Sequence, residues 1–130
     1  MKAYFAIKFH EDSKNKELIE TISKILEKKG IQTIVMMRDY ENWSKIKFTP
    51  KQLMDLSFKE IEKSDMMIVD ISEKGVGIGI EAGYAHSKGK PIIVIAKKGS
   101  DIPDTLRGIA KKVIFYSTPT NLAKEDLITI

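Results

Sequence analysis

Glu81 follows three glycines at alternate positions, Gly75, Gly77 and Gly79, within the stretch KGVGIGIEAGYAHSKGKP from Lys74 to Pro91. A carboxylate behind such a run has two readings. It can act on a ligand that the glycine backbone approaches closely, because main-chain N–H groups without side chains meet a phosphate or sugar at a helix N-terminus. It can also simply favour the first turn of a helix through the helix dipole. The chemical reading needs a second acid. Asp65 precedes the apolar stretch MMIVDI and Asp70 lies at its end. A carboxylate pair of this kind suits glycosidic-bond chemistry, in which one acid attacks the anomeric carbon and the other moves the proton. Asp70, at the carboxyl edge, is the better placed of the two on geometry alone.

Other nucleotide motifs fit less well. GVGIGIEAG lacks the lysine and Ser/Thr of a phosphate-binding Walker loop. A dinucleotide fingerprint belongs after the first strand and needs an acid closing the next one. Here the glycines follow the third strand, and PIIVIA runs into lysines.

The elements that must position these residues alternate. KAYFAIKF, IQTIVMM, MMIVDI, PIIVIA and KVIFY read as strands. NKELIETISKILEKKG carries Leu18, Ile22, Ile25 and Leu26 on one stripe and stops at Gly30. TPKQLMDLSFKEIEKSD starts a helix with Thr49 as N-cap and Pro50 at its first position, with Leu53, Leu56 and Ile61 facing inward. IGIEAGYAHSKGK is a short helix ending near Gly89, and TPTNLAKEDLITI is a closing helix or extended tail. Continuous apolar strands belong to a parallel sheet buried on both faces. With right-handed crossovers, the expected fold is one α/β domain over residues 1–130. It is a flavodoxin-like three-layer sandwich with a five-stranded parallel sheet. Ligands in such folds sit beyond the carboxyl ends of the strands. This points to His10–Ser13, Asp39–Trp43, Asp70–Gly79 and Lys97–Asp104.

Composition narrows the classes. The 130 residues carry 22 Lys+Arg against 18 Asp+Glu, and the mild excess is scattered without interleaved aromatics. No nucleic-acid partner is expected. There is no cysteine and only two histidines, His10 and His86, so disulfides, thiolate catalysis and a zinc site are not expected. No apolar run approaches a membrane span and MKAYFAIKFHED is no signal peptide. The expected location is cytoplasmic. Tyr40 and Trp43 in RDYENW could stack a base or pack a surface loop. His86 reads as a helical surface histidine. Met36, Met37, Met66 and Met67 read as core filling.

The stretch SDMMIVDISEKGVGIGIEAGYA resembles the nucleoside 2-deoxyribosyltransferase family and the related deoxynucleoside-monophosphate N-glycosidases. It carries that family's Asp-led strand followed by Gly-x-Gly-x-Glu-x-Gly-x-Ala, as Asp65, Gly77, Gly79, Glu81, Gly83 and Ala85. AYFA (Ala3–Ala6) is similar to the family's opening strand, and TLRG to an Arg-Gly segment of the monophosphate hydrolases, which marks Arg107. The resemblance implies that Glu81 is the nucleophile at C1′ of a nucleoside or nucleotide. It implies that Asp65 places substrate and shuttles the proton, and that Tyr4 orients the nucleophile. It further implies no metal or organic cofactor, a homo-oligomer (dimer or larger), and a lid or subunit contact at IPDTLRG. Two places depart from the pattern. Ile7, Lys8, Phe9 and His10 replace the small or polar residues after the first strand, and Gly75 stands where relatives place Ser or Asp. Lys8, His10 and Lys74 are therefore expected as an anion site, with Gly75, Gly77, Gly79, Asp70 and Arg107 as further substrate contacts. A non-catalytic nucleotide-binding or sensing module, or an NAD-cleaving relative, are the alternatives.

Overall fold

A computed structural model describes residues 1–129. Its strands are β1 (Lys2–Ala6), β2 (Gln32–Ile34), β3 (Met66–Asp70), β4 (Ile92–Lys97) and β5 (Lys112–Tyr116). They form a five-stranded, all-parallel sheet in the order β2-β1-β3-β4-β5. This is the flavodoxin-like strand order, which reverses direction between β1 and β3. Every residue of β3 is buried, and so are five of the six in β4. Their uninterrupted apolar runs are therefore explained by cover on both faces.

Period-two alternation divides the core. Ala3 and Phe5 of β1 point to one face with Ile68, Ile93 and Ile95, under helix α1 (Lys16–Lys28). Tyr4 and Ala6 point to the other with Met67, Val69 and Val94. That face lies under α3 (Pro50–Lys63) and α4 (Val76–Ser87), which come after the four-residue helix α2 (Met36–Asp39). The alternation thus decides that Tyr4, and not Phe5, meets the helix carrying Glu81.

α1 buries Ile19, Ile22, Ser23 and Leu26, so Ile19 replaces the expected Leu18 and Ile25 at the centre of the stripe. α3 begins as expected: Thr49 accepts from Gln52 N, Gln52 returns a bond to Thr49 N, and Pro50 is the first helical residue. The second strand is shorter than IQTIVMM. Asp39 Oδ2 accepts from Val35 N at 2.8 Å, and this bond turns the chain into α2. After β4 comes α5 (Asp104–Arg107). The closing segment is a 3₁₀ helix, Pro119–Lys124, that packs on the α1 face through Leu122. Met36, Met37, Met66 and Met67 are 9% exposed or less, in keeping with core filling. Among the described residues no helix is long and apolar enough to cross a membrane, and no cluster of three His, Cys, Asp or Glu could hold a metal.

Candidate active site

The crevice where the strand order reverses holds a cavity of about 220 Å³. Its floor is the carboxyl end of β1 and the residues just beyond it, Tyr4 to Phe9. One wall is α4 from Gly75 to Glu81, and the other is formed by Glu41, Leu53, Met54 and Ser57. The volume is below the about 300–1,000 Å³ usual for small-molecule sites, which fits a nucleoside-sized ligand better than a dinucleotide.

Tyr4 is 2% exposed, and its hydroxyl donates to Glu81 Oε2. Ser57 is buried on the inward face of α3; its hydroxyl donates to Leu53 O at 2.9 Å and also lies against the Glu81 carboxyl and the Tyr4 hydroxyl. Burial pushes the Glu81 carboxyl up to about 6, and the Tyr4 bond, with the Ser57 hydroxyl nearby, holds it back. The same burial, with the Glu81 charge beside it, drives the Tyr4 hydroxyl far upward, so it stays a neutral donor. The arrangement is a nearly desolvated carboxylate, oriented by a phenol, at the edge of a mostly apolar cavity. Near neutral pH such a group is ionised yet poorly solvated, the state of a good oxygen nucleophile or general base.

This corrects the helix-dipole argument. Gly75, in an extended conformation, is the N-cap of α4, so Glu81 is the sixth helical residue and lies beyond the first turn. Burial governs its proton affinity, in the upward direction. Gly77 and Gly79 are not turn residues either. They lie within the helix with open space where a Cβ would stand, and of the two only Gly77 borders the cavity.

Of the expected residues, the structure brings together Tyr4, Glu81, Lys8, Gly75 and Gly77. The Lys8 side chain crosses the N-terminus of α4, and a Cβ on Gly75 would stand 3.3 Å from Lys8 Cδ. Gly79 is outside the lining. His10 Nε2 is instead 2.9 Å from Glu73 Oε2, and Lys74 Nζ is 3.0 Å from Asp101. Arg107 is exposed on α5, away from the cavity. The three-cation anion site therefore reduces to Lys8.

Neither expected aspartate reaches the cavity. Asp65 is exposed at the amino edge of the sheet, where its Oδ2 accepts from Lys2 N at 2.8 Å. It staples β1 to β3 at the end opposite Glu81. Asp70 is at the correct edge but only 1% exposed. Its carboxylate accepts from Tyr116 OH at 2.6 Å and from Ser72 N at 2.9 Å. Ser72 in turn accepts from Lys97 N at 2.9 Å, so Asp70 ties the ends of β3, β4 and β5 together. Tyr116→Phe removes a donor from a buried carboxylate and is expected to cost about 1–3 kcal/mol. Urea unfolding with an unchanged m-value would read this; a loss under about 0.5 kcal/mol would mean the carboxylate finds another partner.

Tyr40 and Trp43 are also engaged elsewhere. Tyr40 OH donates to Glu60, which pairs with Lys2 at 3.0 Å. Trp43 packs on the α1 side of the core, with Lys16 Nζ 5.1 Å above its ring. His86 is exposed on α4.

Sequence reasoning missed Ser57 and Glu41. Ser57 had a visible signal, since it lies four residues after Leu53 on the inward face of α3, where a polar side chain needs a reason. Glu41 lies in the Asp39–Trp43 loop marked from the carboxyl-edge rule, but nothing in the sequence singled it out from its neighbours there.

Comparison with known proteins agrees with this architecture. A Thermofilum pendens protein named as a candidate 2′-deoxynucleoside 5′-phosphate N-hydrolase is 25% identical over 116 residues, covering 84% of this chain and 78% of the relative. The 2-deoxyribosyltransferase of Bacillus psychrosaccharolyticus superposes with a TM-score of 0.74 at 13% identity, over 98% of this chain and 93% of that one. The CMP N-glycosidase of Clostridium botulinum gives 0.67 at 22% identity, over 95% of both. At these identities the two structures establish a shared fold. The family model described as nucleoside 2-deoxyribosyltransferase matches residues 3–123, nearly the whole chain. The chain therefore belongs to the nucleoside 2-deoxyribosyltransferase family, enzymes that cleave or transfer the N-glycosidic bond of nucleosides and nucleotides.

Proposed function

We propose that this enzyme cleaves the N-glycosidic bond of a nucleoside 5′-monophosphate, with Glu81 as the nucleophile. The observation that carries the reading is the Glu81 carboxyl, held by Tyr4 OH at the edge of the switch-point cavity. A Glu81 oxygen attacks C1′ as the bond to the base breaks, and a glycosyl ester forms. Water then opens the ester and returns the carboxylate. The transition state is oxocarbenium-like, so an adjacent desolvated carboxylate stabilises it more than it stabilises the neutral sugar of the ground state. Tyr4 keeps the attacking oxygen in line.

The monophosphate is favoured over the nucleoside by Lys8. Its ammonium lies beside Gly75 at the start of α4, in the cavity lining, and no salt bridge engages it among the described residues. Cation and helix N-terminus together suit a phosphate.

The test is a panel of nucleosides, their 5′-monophosphates and NAD, read by chromatography of free base. Monophosphates are expected to be the best substrates, and Lys8→Met is expected to narrow their advantage. Equal turnover of nucleosides and monophosphates would remove the phosphate assignment. The pH dependence comes from Glu81. The nucleophile works ionised and its pKa is about 6, so this group sets the acid limb of kcat/KM. Below that pH, kcat/KM should fall about tenfold per unit. An acid limb near 4 would mean that the essential carboxylate is not this buried one.

A further inference from the structure

We propose that Glu41 is a second catalytic carboxylate, which protonates the departing base and later takes the proton of the attacking water. The proposal rests on Glu81 as nucleophile and supplies the proton that its chemistry needs. When the glycosidic bond breaks, its electron pair goes to the base nitrogen, and an unprotonated base is a poor leaving group. In the first step the Glu41 carboxylic acid gives its proton to that nitrogen, leaving neutral base, Glu41 carboxylate and the ester on Glu81. In the second, Glu41 carboxylate removes a proton from water, the oxygen bonds to C1′, and the ester bond returns its pair to Glu81. Both carboxyl groups end as they began.

The cavity limits the candidates. Tyr4, Lys8, Glu41 and Glu81 are the titratable side chains lining it. Tyr4 directs its proton to Glu81, and Lys8 lies at the start of α4. The two aspartates expected from the sequence are committed elsewhere. Glu41 comes from the end of α2, on the wall facing α4. Its charge is close enough to act on the Tyr4 hydroxyl. Its carboxylate has no hydrogen bond or salt bridge to another described side chain, and the nearby Lys47 instead lies 3.9 Å from Glu11.

The backbone gives independent support. The three residues after Glu41 all have positive φ: Asn42 at 44°, Trp43 at 56° and Ser44 at 69°. None is glycine, and such runs persist only where surrounding contacts enforce them. Here Trp43 N donates to Met37 O at 2.8 Å, Ile46 N donates to Glu41 O at 2.9 Å, and the Trp43 ring is packed on the core. The turn pins the Glu41 backbone where its half-buried side chain lines the cavity. Burial then raises the Glu41 carboxyl above its ordinary range, as a proton donor requires, against a smaller opposing pull from Lys47.

The experiment compares first-turnover base release, with enzyme in excess, from two probes, 2′-deoxyguanosine 5′-monophosphate and its N7-methyl derivative, so that the later step in which Glu41 acts as base does not enter. The methylated base is already cationic and departs without an added proton. Glu41→Gln is expected to slow release of guanine by about 100-fold or more. It should slow release of 7-methylguanine by no more than about threefold, because that departure asks nothing of an acid. Glu81→Gln should abolish both. If Glu41→Gln slows the two probes equally, or slows neither, while Glu81→Gln abolishes both, Glu41 is not the acid and the nucleophile assignment stands. If Glu81→Gln retains activity on either probe, the nucleophile assignment itself fails. Thermal unfolding of both variants at or above the wild-type temperature separates these results from misfolding.

Discussion

Replacing Glu81 with glutamine is expected to lower base release by about 10⁴-fold or more, while making the folded protein more stable at neutral pH. The two effects have one cause. Glutamine preserves the length and the oxygen that accepts from Tyr4, but it cannot form a glycosyl ester that hydrolyses back to a carboxylate. It also has no charge to desolvate. In the native protein the Glu81 carboxyl titrates at about 6, against an ordinary value of 4.5. The folded state therefore holds the proton more tightly than the unfolded chain. Its stabilisation by the protonated form is complete below about 4.5 and disappears as the pH rises through 6. Above that pH the ionised carboxylate costs up to about 2 kcal/mol. Glu81→Gln should remove that cost at pH 8 and change little at pH 4. Denaturant melts at the two pH values, beside base-release assays, check both halves. A variant that is inactive and equally destabilised at both would indicate a structural role. A variant that is active would exclude Glu81 as nucleophile.

The stability signature also explains how a residue so unfavourably placed is held. Tyr4 is fixed by the sheet, since it sits in β1 opposite Met67 with its ring in the core. Ser57 is fixed by α3 through its bond to Leu53 O. Neither has to be ordered when substrate arrives, so the carboxylate is pre-oriented at no cost during reaction. An ionisable group held at such a desolvation cost is the expected imprint of function.

Much of this was legible in the sequence, for identifiable reasons. The runs MMIVDI and PIIVIA read as strands covered on both faces, and both lie inside the sheet. The rule placing ligands at carboxyl edges led to the loops before Gly79 and favoured Asp70 over Asp65 on geometry. The family resemblance then restored Asp65, and the structure returns it to the amino edge beside Lys2. What failed was chiefly long-range. Asp70 looked free because its partner Tyr116 lies 46 residues away. The start of α4 was misjudged because glycines suggested a turn, whereas Gly77 and Gly79 are helical and only Gly75 caps. Glu41 depends on three consecutive positive-φ residues, of which only Asn42 is of a type common in that conformation.

Tyr4→Phe should lower kcat by about 10–100-fold at pH 8, lower it further at pH 6, and leave KM nearly unchanged. The ring stays in the core, so the stability loss should be only that of one donor removed from a buried carboxylate, about 1–3 kcal/mol. The lost hydroxyl bond has two consequences of opposite sign. Without that donor the Glu81 carboxyl rises further above 6, because the Tyr4 bond now opposes the effect of burial. A more basic carboxylate is intrinsically more nucleophilic, which alone would raise the rate at pH 8. Against this, the glutamate loses the contact that orients its attacking oxygen. Correct geometry at the reacting carbon is worth about 10²-fold for a displacement near 1 Å, more than a modest rise in basicity returns. Orientation therefore decides the sign at pH 8. At pH 6 the loss deepens because a larger share of Glu81 is protonated. KM is insensitive because the hydroxyl is committed to Glu81 and not to substrate. The pH profile is the discriminating readout: its acid limb should move to higher pH than in the wild type. A slowed variant whose acid limb stays in place would show that Tyr4 supports the cavity wall without acting on the carboxylate.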